Sequence, residues 1–291
     1  MEEKGKEGVS EGPPKKVLGL IASPRKLGNC EVFTKELTRH IPVPHTLELI
    51  RLTSLMVKSC RACYGCVMGD RCPIDDDIYF LLEQIAGADA VIIASPVYYL
   101  GANAVIKAIL DRGFLFFDIL EKSYGTPAVL LNFYGIPERI GVAPQMLEVM
   151  AAYLGLSVTS STSVEAALPG ESIMKESNLV LARQLGMDLF ASRRARKERG
   201  CPFCGCEIVR VAAEGFICTV CHGSFTVDPL GAFVRSKDGG ILGPPEHMLL
   251  HRRWLQGMKA RFLEKRREIA RAVAPYKNVG LWIEPPRQGS V

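Results

Sequence analysis

Apolar positions in the first 165 residues fall into short runs separated by stretches of helical spacing. Residues 16–22 (KVLGLIA) form an apolar run closing at Ser23-Pro24, and beyond a polar loop Val32, Phe33 and Leu37 share one side of a helical segment, residues 31–40. Residues 46–52 (TLELIRL) alternate as a strand, and residues 75–85 read as a helix whose three leading aspartates suit the positive end of the helix dipole. Residues 90–94 (AVIIA) make a fully apolar run of the kind buried on both faces of a parallel sheet, again closing in Ser-Pro, at Ser95-Pro96. A helix over 104–120, a strand over 127–133, a helix over 144–154 and a β-branched strand over 157–164 complete the series.

Five strands alternating with helices imply right-handed crossovers and a doubly wound α/β domain, a parallel sheet with helices on both faces. Ligands in such sheets bind beyond the carboxyl ends of the strands, where the loops after the first and third strands meet. Both of those loops carry Ser-Pro here. Residues 172–199 are expected to be helical, residues 200–236 change to short strands and paired cysteines, and residues 246–273 form a long basic helix. The organisation expected is a disordered tail over 1–14, a main domain over 15–199 with a cysteine-rich loop at 58–75, a small unit over 200–236, and a C-terminal helix and tail over 237–291 packing on the core. Tyr276 and Trp282 make the end of that tail too apolar to be free.

Hydrophobic residues are 48% of the 291-residue chain and charged ones 23%, an ordinary globular balance. No apolar stretch approaches the roughly 18 residues of a membrane span. The charged, Gly- and Pro-containing start lacks the apolar core of a secretory signal, so a soluble cytoplasmic protein is expected. There, ten cysteines in clustered pairs point to metal or redox chemistry rather than disulfides. From Gly186 onward 18 Lys plus Arg face 10 Asp plus Glu, while the preceding residues carry net −3. A basic C-terminal third suits an acidic protein, a dinucleotide phosphate or nucleic acid, and equally a solvated helix face.

The segment SPRKLGNCEVF joins a buried strand to a helix N-terminus, a natural anion site. Ser23 and Asn29 offer neutral donors, Arg25 and Lys26 positive charge, and Gly28 a close backbone turn. Neither Gly-x-Gly-x-x-Gly nor a Walker A motif is present, and the bland alternative is a simple helix cap. The third-strand loop SPVYYLGANAVIKAILDR sets Pro96, Tyr98 and Tyr99 at the same end of the sheet, where aromatic edges and backbone amides can frame a flat heterocycle. Together "SPRKLGN" and "SPVYY…IKAILDR" resemble the NADPH-dependent FMN reductase family of flavodoxin-like proteins, over about residues 16–165. The resemblance implies a five-stranded sheet in the order 2-1-3-4-5. It implies that Ser23, Arg25, Gly28, Asn29 and Cys30 hold an FMN phosphate, that Pro96, Val97, Tyr98 and Tyr99 flank the ring, and that Asn132 to Gly135 lie near its other edge. Cys30 departs from the family, which usually has Ser or Thr there; a thiol is a weak donor, implying a weaker hold on FMN.

Cys60, Cys63, Cys66 and Cys72 follow the second strand as C-x2-C-x2-C-x5-C, with Pro73 next. Spacings of three let a wrapped loop aim successive sulfurs at one cubane, as in bacterial ferredoxins. In a flavodoxin-like chain this arrangement resembles the iron-sulfur flavoproteins of anaerobic bacteria and archaea, which combine one [4Fe-4S] cluster with FMN. Bare reduced thiols are the alternative. A four-cysteine zinc site usually consists of two separated knuckles, which this loop is not. Lys58, Arg61 and Arg71 would partly offset the negative charge of a four-thiolate cluster.

Cys201, Cys204, Cys218 and Cys221 give C-x2-C-x13-C-x2-C on a hairpin of β-prone segments, a zinc-ribbon signal. A three-stranded unit of this size cannot bury enough core alone, so the metal would supply folding free energy. Iron in a rubredoxin-like site is the alternative, since CPFCG resembles a rubredoxin knuckle. Cys206 and His222 are surplus to the four ligands.

These readings lead to an FMN-dependent oxidoreductase of the iron-sulfur flavoprotein kind, carrying FMN, a [4Fe-4S] cluster and zinc, with NAD(P)H or a reduced ferredoxin as donor and no side chain needed as acid or base. The family likeness suggests a homo-oligomer. Two rivals stay open: an NAD(P)H:FMN or quinone reductase without a cluster, and a redox-sensing adaptor binding nucleic acid through the ribbon and the helix around Arg252. Aromatic residues are sparse in that helix, so nucleic acid is not the expected partner.

Overall fold

The computed structural model describes residues 12–191, 200–240, 245–277 and 279. Most of the tail expected over 1–14, the end of the helix expected over 172–199, and Trp282 lie outside the described residues. The main sheet is parallel and ordered β2-β1-β3-β5-β6, from β1 (Lys15–Ile21), β2 (His45–Arg51), β3 (Ala90–Tyr98), β5 (Pro127–Tyr134) and β6 (Ser157–Glu165). This is the expected order 2-1-3-4-5; the two-residue β4 (Gly101–Ala102) only folds back antiparallel on β3.

Successive residues of the central strands enter two cores because side chains alternate across a sheet. Leu18, Leu20, Val91, Ile93 and Leu130 meet α2 (Ile78–Ala86), α3 (Ala104–Leu110) and α5 (Ala143–Tyr153) on one face. Val17, Ile21, Ile92, Val129 and Leu131 meet α1 (Asn29–Thr38) and α6 (Glu176–Asp188) on the other. The two helices of this second face touch backbone to backbone: a Cβ on Gly186 would lie 2.3 Å from the Leu37 carbonyl oxygen, so a side chain there would force α1 away from its position.

The helix expected over 104–120 is broken. α3 ends at Leu110, a 3-10 segment runs over Gly113–Asp118, and α4 is one turn, Leu120–Ser123. Arg112 at the break is 2% exposed and turned inward to an acidic partner, and Gly113 follows, a poor helix former.

Beyond the sheet, the small unit has four strands rather than three: β7 (Val209–Ala212), β8 (Gly215–Cys218), β9 (Ser224–Val227) and β10 (Phe233–Lys237), all antiparallel neighbours. Its core of Cys201, Cys218, Val220 and Phe225 abuts Val149 and Ala152 of α5. The last helix, α7 (Pro245–Val273), buries Met248 and Leu255 in its first half, and its second half is exposed. No described helix is long and apolar enough to cross a membrane.

Candidate functional site

β1 delivers the chain to the carboxyl end of the sheet, where residues 22–28 turn before α1. Arg51 holds the turn: it donates to the carbonyls of Ser23 at 2.7 Å and Arg25 at 2.9 Å, and to the Glu31 carboxylate at 2.6 Å. Glu31 also accepts the Leu27 N–H at 2.9 Å and pairs with Lys35. Burial alone would raise the Glu31 pKa, but Lys35, Arg51 and the Leu27 N–H hold it at about 2. Its contribution to stability is therefore full above the unfolded value of about 4.3 and is lost as pH falls toward 2.

Gly28 lets this turn close, since a Cβ there would sit 3.0 Å from the Arg25 Cβ and 3.3 Å from its carbonyl oxygen. No side chain caps α1; the Glu31 N–H donates to the Gly28 carbonyl at 3.0 Å, which leaves the Asn29 and Cys30 N–H groups and the positive dipole end for an outside acceptor. Asn29 serves differently from expectation. Its amide group donates to the carbonyls of Ala166 at 3.1 Å and Leu168 at 2.9 Å, and its carbonyl oxygen accepts from the Ser172 N–H at 3.1 Å, so its side chain ties α1 to the loop after β6. What Asn29 can offer an anion is its main-chain N–H.

A cavity of about 290 Å³ opens over the turn, lined by Ser23, Arg25, Asn29, Cys30, Pro96, Val97 and Tyr98. Burial pushes the Cys30 thiol up to about 12, against small lowering effects of its backbone hydrogen bond and Arg51, so it is a neutral thiol. Phe133, Gly135, Ile136 and the loop residues Ala166, Ala167 and Pro169 complete the walls. The last three were not picked out in the sequence, because small apolar residues carry no chemical signal. Tyr99 is fully exposed at a left-handed turn (φ 48°) and is not among the cavity-lining residues. Asn132 is completely buried one residue before Phe133, and neither its amide nitrogen nor its oxygen has a hydrogen-bond partner. An orphaned carboxamide costs on the order of 1–3 kcal/mol, and Asn132, unlike Phe133 and Gly135, is not among the cavity-lining residues.

The cysteine-rich loop leaves the carboxyl end of β2. Cys60 and Cys63 are exposed, and Cys66 and Cys72 are half-buried. Burial raises the Cys66 thiol pKa, and the nearby Cys72 adds to the rise, with smaller additions from Cys60 and Cys63. Left-handed residues at Ala62 (φ 50°), Tyr64 (φ 60°) and Gly69 (φ 98°) wrap the chain, and the Ala62 N–H donates to the Cys60 sulfur at 3.4 Å. Arg112 donates to the Cys72 sulfur at 3.3 Å and to the Lys58 carbonyl at 3.1 Å, while its ion pair with Asp76 fixes it. The Cys72 N–H donates to the Tyr79 hydroxyl at 2.8 Å, under the Arg71 guanidinium. Arg71 thus lies on an aromatic ring near the loop. Arg112 stands next to Cys72, a contact that spacing alone could not reveal.

In the small unit Cys201, Cys204, Cys218 and Cys221 bring their sulfurs within 4.8 Å of one another. The pairs Cys201–Cys221 and Cys204–Cys218 are 3.6 and 3.5 Å apart. Metal–sulfur bonds of about 2.3 Å place tetrahedral sulfurs about 3.8 Å apart, so the set suits one tetrahedral ion. N–H groups of Phe203, Val220 and Gly223 donate to these sulfurs at 3.4 Å, which stabilises thiolates. Cys206 lies outside the set; its thiol donates to the Ile208 carbonyl at 3.4 Å. His222 occupies a left-handed turn (φ 59°) and is likewise outside it.

A family model described as NADPH-dependent FMN reductase matches residues 15–167. An "Iron-sulfur flavoprotein" of Archaeoglobus fulgidus is 30% identical over 174 residues, covering 59% of this chain and 77% of the relative. A protein of the same description from Methanosarcina thermophila is 35% identical over 101 residues, 34% of this chain and about half, 53%, of the relative. Among solved structures, one titled "flavone reductase" superposes with a TM-score of 0.66 at 15% identity, covering 93% of this chain and 100% of its own, a likeness of fold.

Proposed function

The chain belongs to the NADPH-dependent FMN reductase family and is a flavin-dependent oxidoreductase, and from that premise we propose that it is an iron-sulfur flavoprotein that exchanges electrons between FMN and a [4Fe-4S] cluster. The observation carrying this reading is the cysteine loop itself: four wrapped cysteines, one already accepting a hydrogen bond from a buried arginine, leave the carboxyl edge of the sheet on which the flavin cavity opens.

The residues present fit both groups. Ser23, Arg25, Gly28 and the N–H groups of Asn29 and Cys30 at the start of α1 would hold the FMN phosphate; Pro96, Val97 and Tyr98 would flank the ring. Cys60, Cys63, Cys66 and Cys72 would ligate the cluster, and the Cys201, Cys204, Cys218 and Cys221 ribbon would hold a structural zinc. FMN held there would supply two-electron hydride chemistry with release of single electrons, and a cluster on the four cysteines would supply single-electron transfer. The protein's own task is positioning. Arg51 and Glu31 keep the phosphate turn shaped, and Arg112 offsets thiolate charge at Cys72, which would raise the cluster's potential. NAD(P)H or an acidic one-electron carrier such as ferredoxin would be the donor, the latter attracted by the basic α7, and copies of the chain would assemble so that one subunit's cluster serves another's FMN.

Anaerobic purification with metal, acid-labile sulfide and flavin determinations tests this. About four irons, four sulfides, one zinc and one FMN per chain are expected. Abundant FMN without sulfide would leave an FMN or quinone reductase with bare thiols.

Cys30 offers a sharper test of the phosphate turn. Cys30→Ser supplies a hydroxyl where the neutral thiol now lines the cavity. FMN should bind about threefold to tenfold more tightly, measured by fluorescence titration of the flavin-free protein, since a hydroxyl is the better donor to an anionic oxygen. Unchanged or weaker binding would place the phosphate away from residue 30.

A further inference from the structure

α7 lies outside the residues that the family model matches, yet three of its hydrogen bonds enter the four-cysteine loop. Arg252 donates from Nη2 to the Cys66 carbonyl at 3.2 Å and from Nε to the Val67 carbonyl at 3.3 Å. Gln256, one helical turn later, donates to the same Val67 carbonyl at 3.0 Å. From its other side Arg252 is steadied by the Asp118 carboxylate at 3.6 Å and lies 5.9 Å from the centre of the Phe117 ring. Met248 and Leu255, on the same face at helical spacing, are 3% and 8% exposed.

The accepting carbonyls belong to the 3-10 turn Cys66–Met68, which ends at left-handed Gly69. A single short turn has little stability of its own. A guanidinium that grips two successive carbonyls fixes two peptide planes at once, and with them the direction in which the Cys66 sulfur leaves the backbone. We propose that α7 is a clasp on the four-cysteine loop, with Arg252 and Gln256 as positioning residues for Cys66, so that retention of the cluster depends on a segment outside the flavin domain. The cluster half of this statement rests on the iron-sulfur reading above; the clasp is a contact between helix and loop and stands without metal.

The test uses the full-length chain and the double variant Arg252→Ala/Gln256→Ala, with Arg252→Lys as a second variant that keeps the charge and loses the fork. The amides of Met68, Gly69 and Asp70 are hydrogen-bonded within the turn, so their hydrogen exchange reports its opening. In the double variant these amides should exchange roughly tenfold to a hundredfold faster, and Arg252→Lys should fall between it and wild type. FMN content equal to wild type establishes that the flavin domain is folded. In iron-loaded protein the double variant should also release iron to bathophenanthroline disulfonate at least several-fold faster. Unchanged exchange overturns the clasp, and faster exchange with unchanged iron release overturns its role in cluster retention. Wild type without iron would sink the cluster reading alone, because the exchange comparison needs no metal.

Discussion

Replacing Arg112 with methionine is expected to lower the unfolding free energy by about 3–5 kcal/mol, because it strands the carboxylate of Asp76 inside the protein. The two side chains are 1% and 0% exposed, and Arg112 spans from Asp76 to the Cys72 sulfur and the Lys58 carbonyl. Burial alone would raise the Asp76 pKa, but the Arg112 hydrogen bond and the N–H groups of Lys58 and Ile78 hold it below the usual carboxylate range. In wild type the group therefore contributes stability that is full above its unfolded pKa of about 3.9 and is lost as pH falls through the lower folded value. Arg112 is the largest of the influences that lower the Asp76 pKa, so its loss moves the folded pKa up, and the cost of the variant grows as pH increases from about 4 toward 7. Urea unfolding at these two pH values should show Arg112→Met closer to wild type at the acid end. Asp76→Leu/Arg112→Met should recover much of the loss, since no unpaired charge remains. A single variant costing under about 1 kcal/mol at pH 7 would mean the pair is not a support of the loop.

Removal of one ribbon ligand should act as strongly, and locally. Zinc bound by four thiolates contributes on the order of 10–16 kcal/mol to folding of such a unit, and its own core consists largely of the ligands plus Val220 and Phe225. Cys218→Ser should reduce zinc from one to near zero per chain. Amides that bond the ribbon sulfurs, at Phe203, Val220 and Gly223, should lose exchange protection. FMN content should persist, because the ribbon core meets the flavin domain through Val149 and Ala152 of α5, remote in sequence from the phosphate turn. Cys206→Ser is the control and should leave zinc unchanged, its thiol being bonded to the Ile208 carbonyl. Zinc retained in Cys218→Ser together with intact protection would exclude this residue as a ligand.

How far such features can be read in advance depends on the distance over which their cause acts. The central strands were legible because burial on both faces demands runs such as AVIIA, and the strand order followed once the flavodoxin-like resemblance was seen. The ribbon's ligands were legible because tetrahedral thiolate sites have a local spacing. Its fourth strand, β10, was not: every residue of Phe233–Lys237 is exposed, so it has no one-sided apolar pattern. The break at Arg112 was equally hidden, since apolar spacing continues across it and the cause is an acidic partner 36 positions away.

Sequence alone determined the strands of the main sheet, the two cysteine sets and the two Ser-Pro loops that frame the cavity, because periodicity and ligand spacing are short-range properties of the chain. Tertiary structure decided how those parts are held. It turned the Asn29 side chain to the loop after β6 and placed Arg112 beside Cys72. It also set Arg252 against a carbonyl 186 residues earlier. The physical reason is that a buried donor or charge must find a partner wherever packing supplies one, and packing joins segments whose sequences carry no trace of each other.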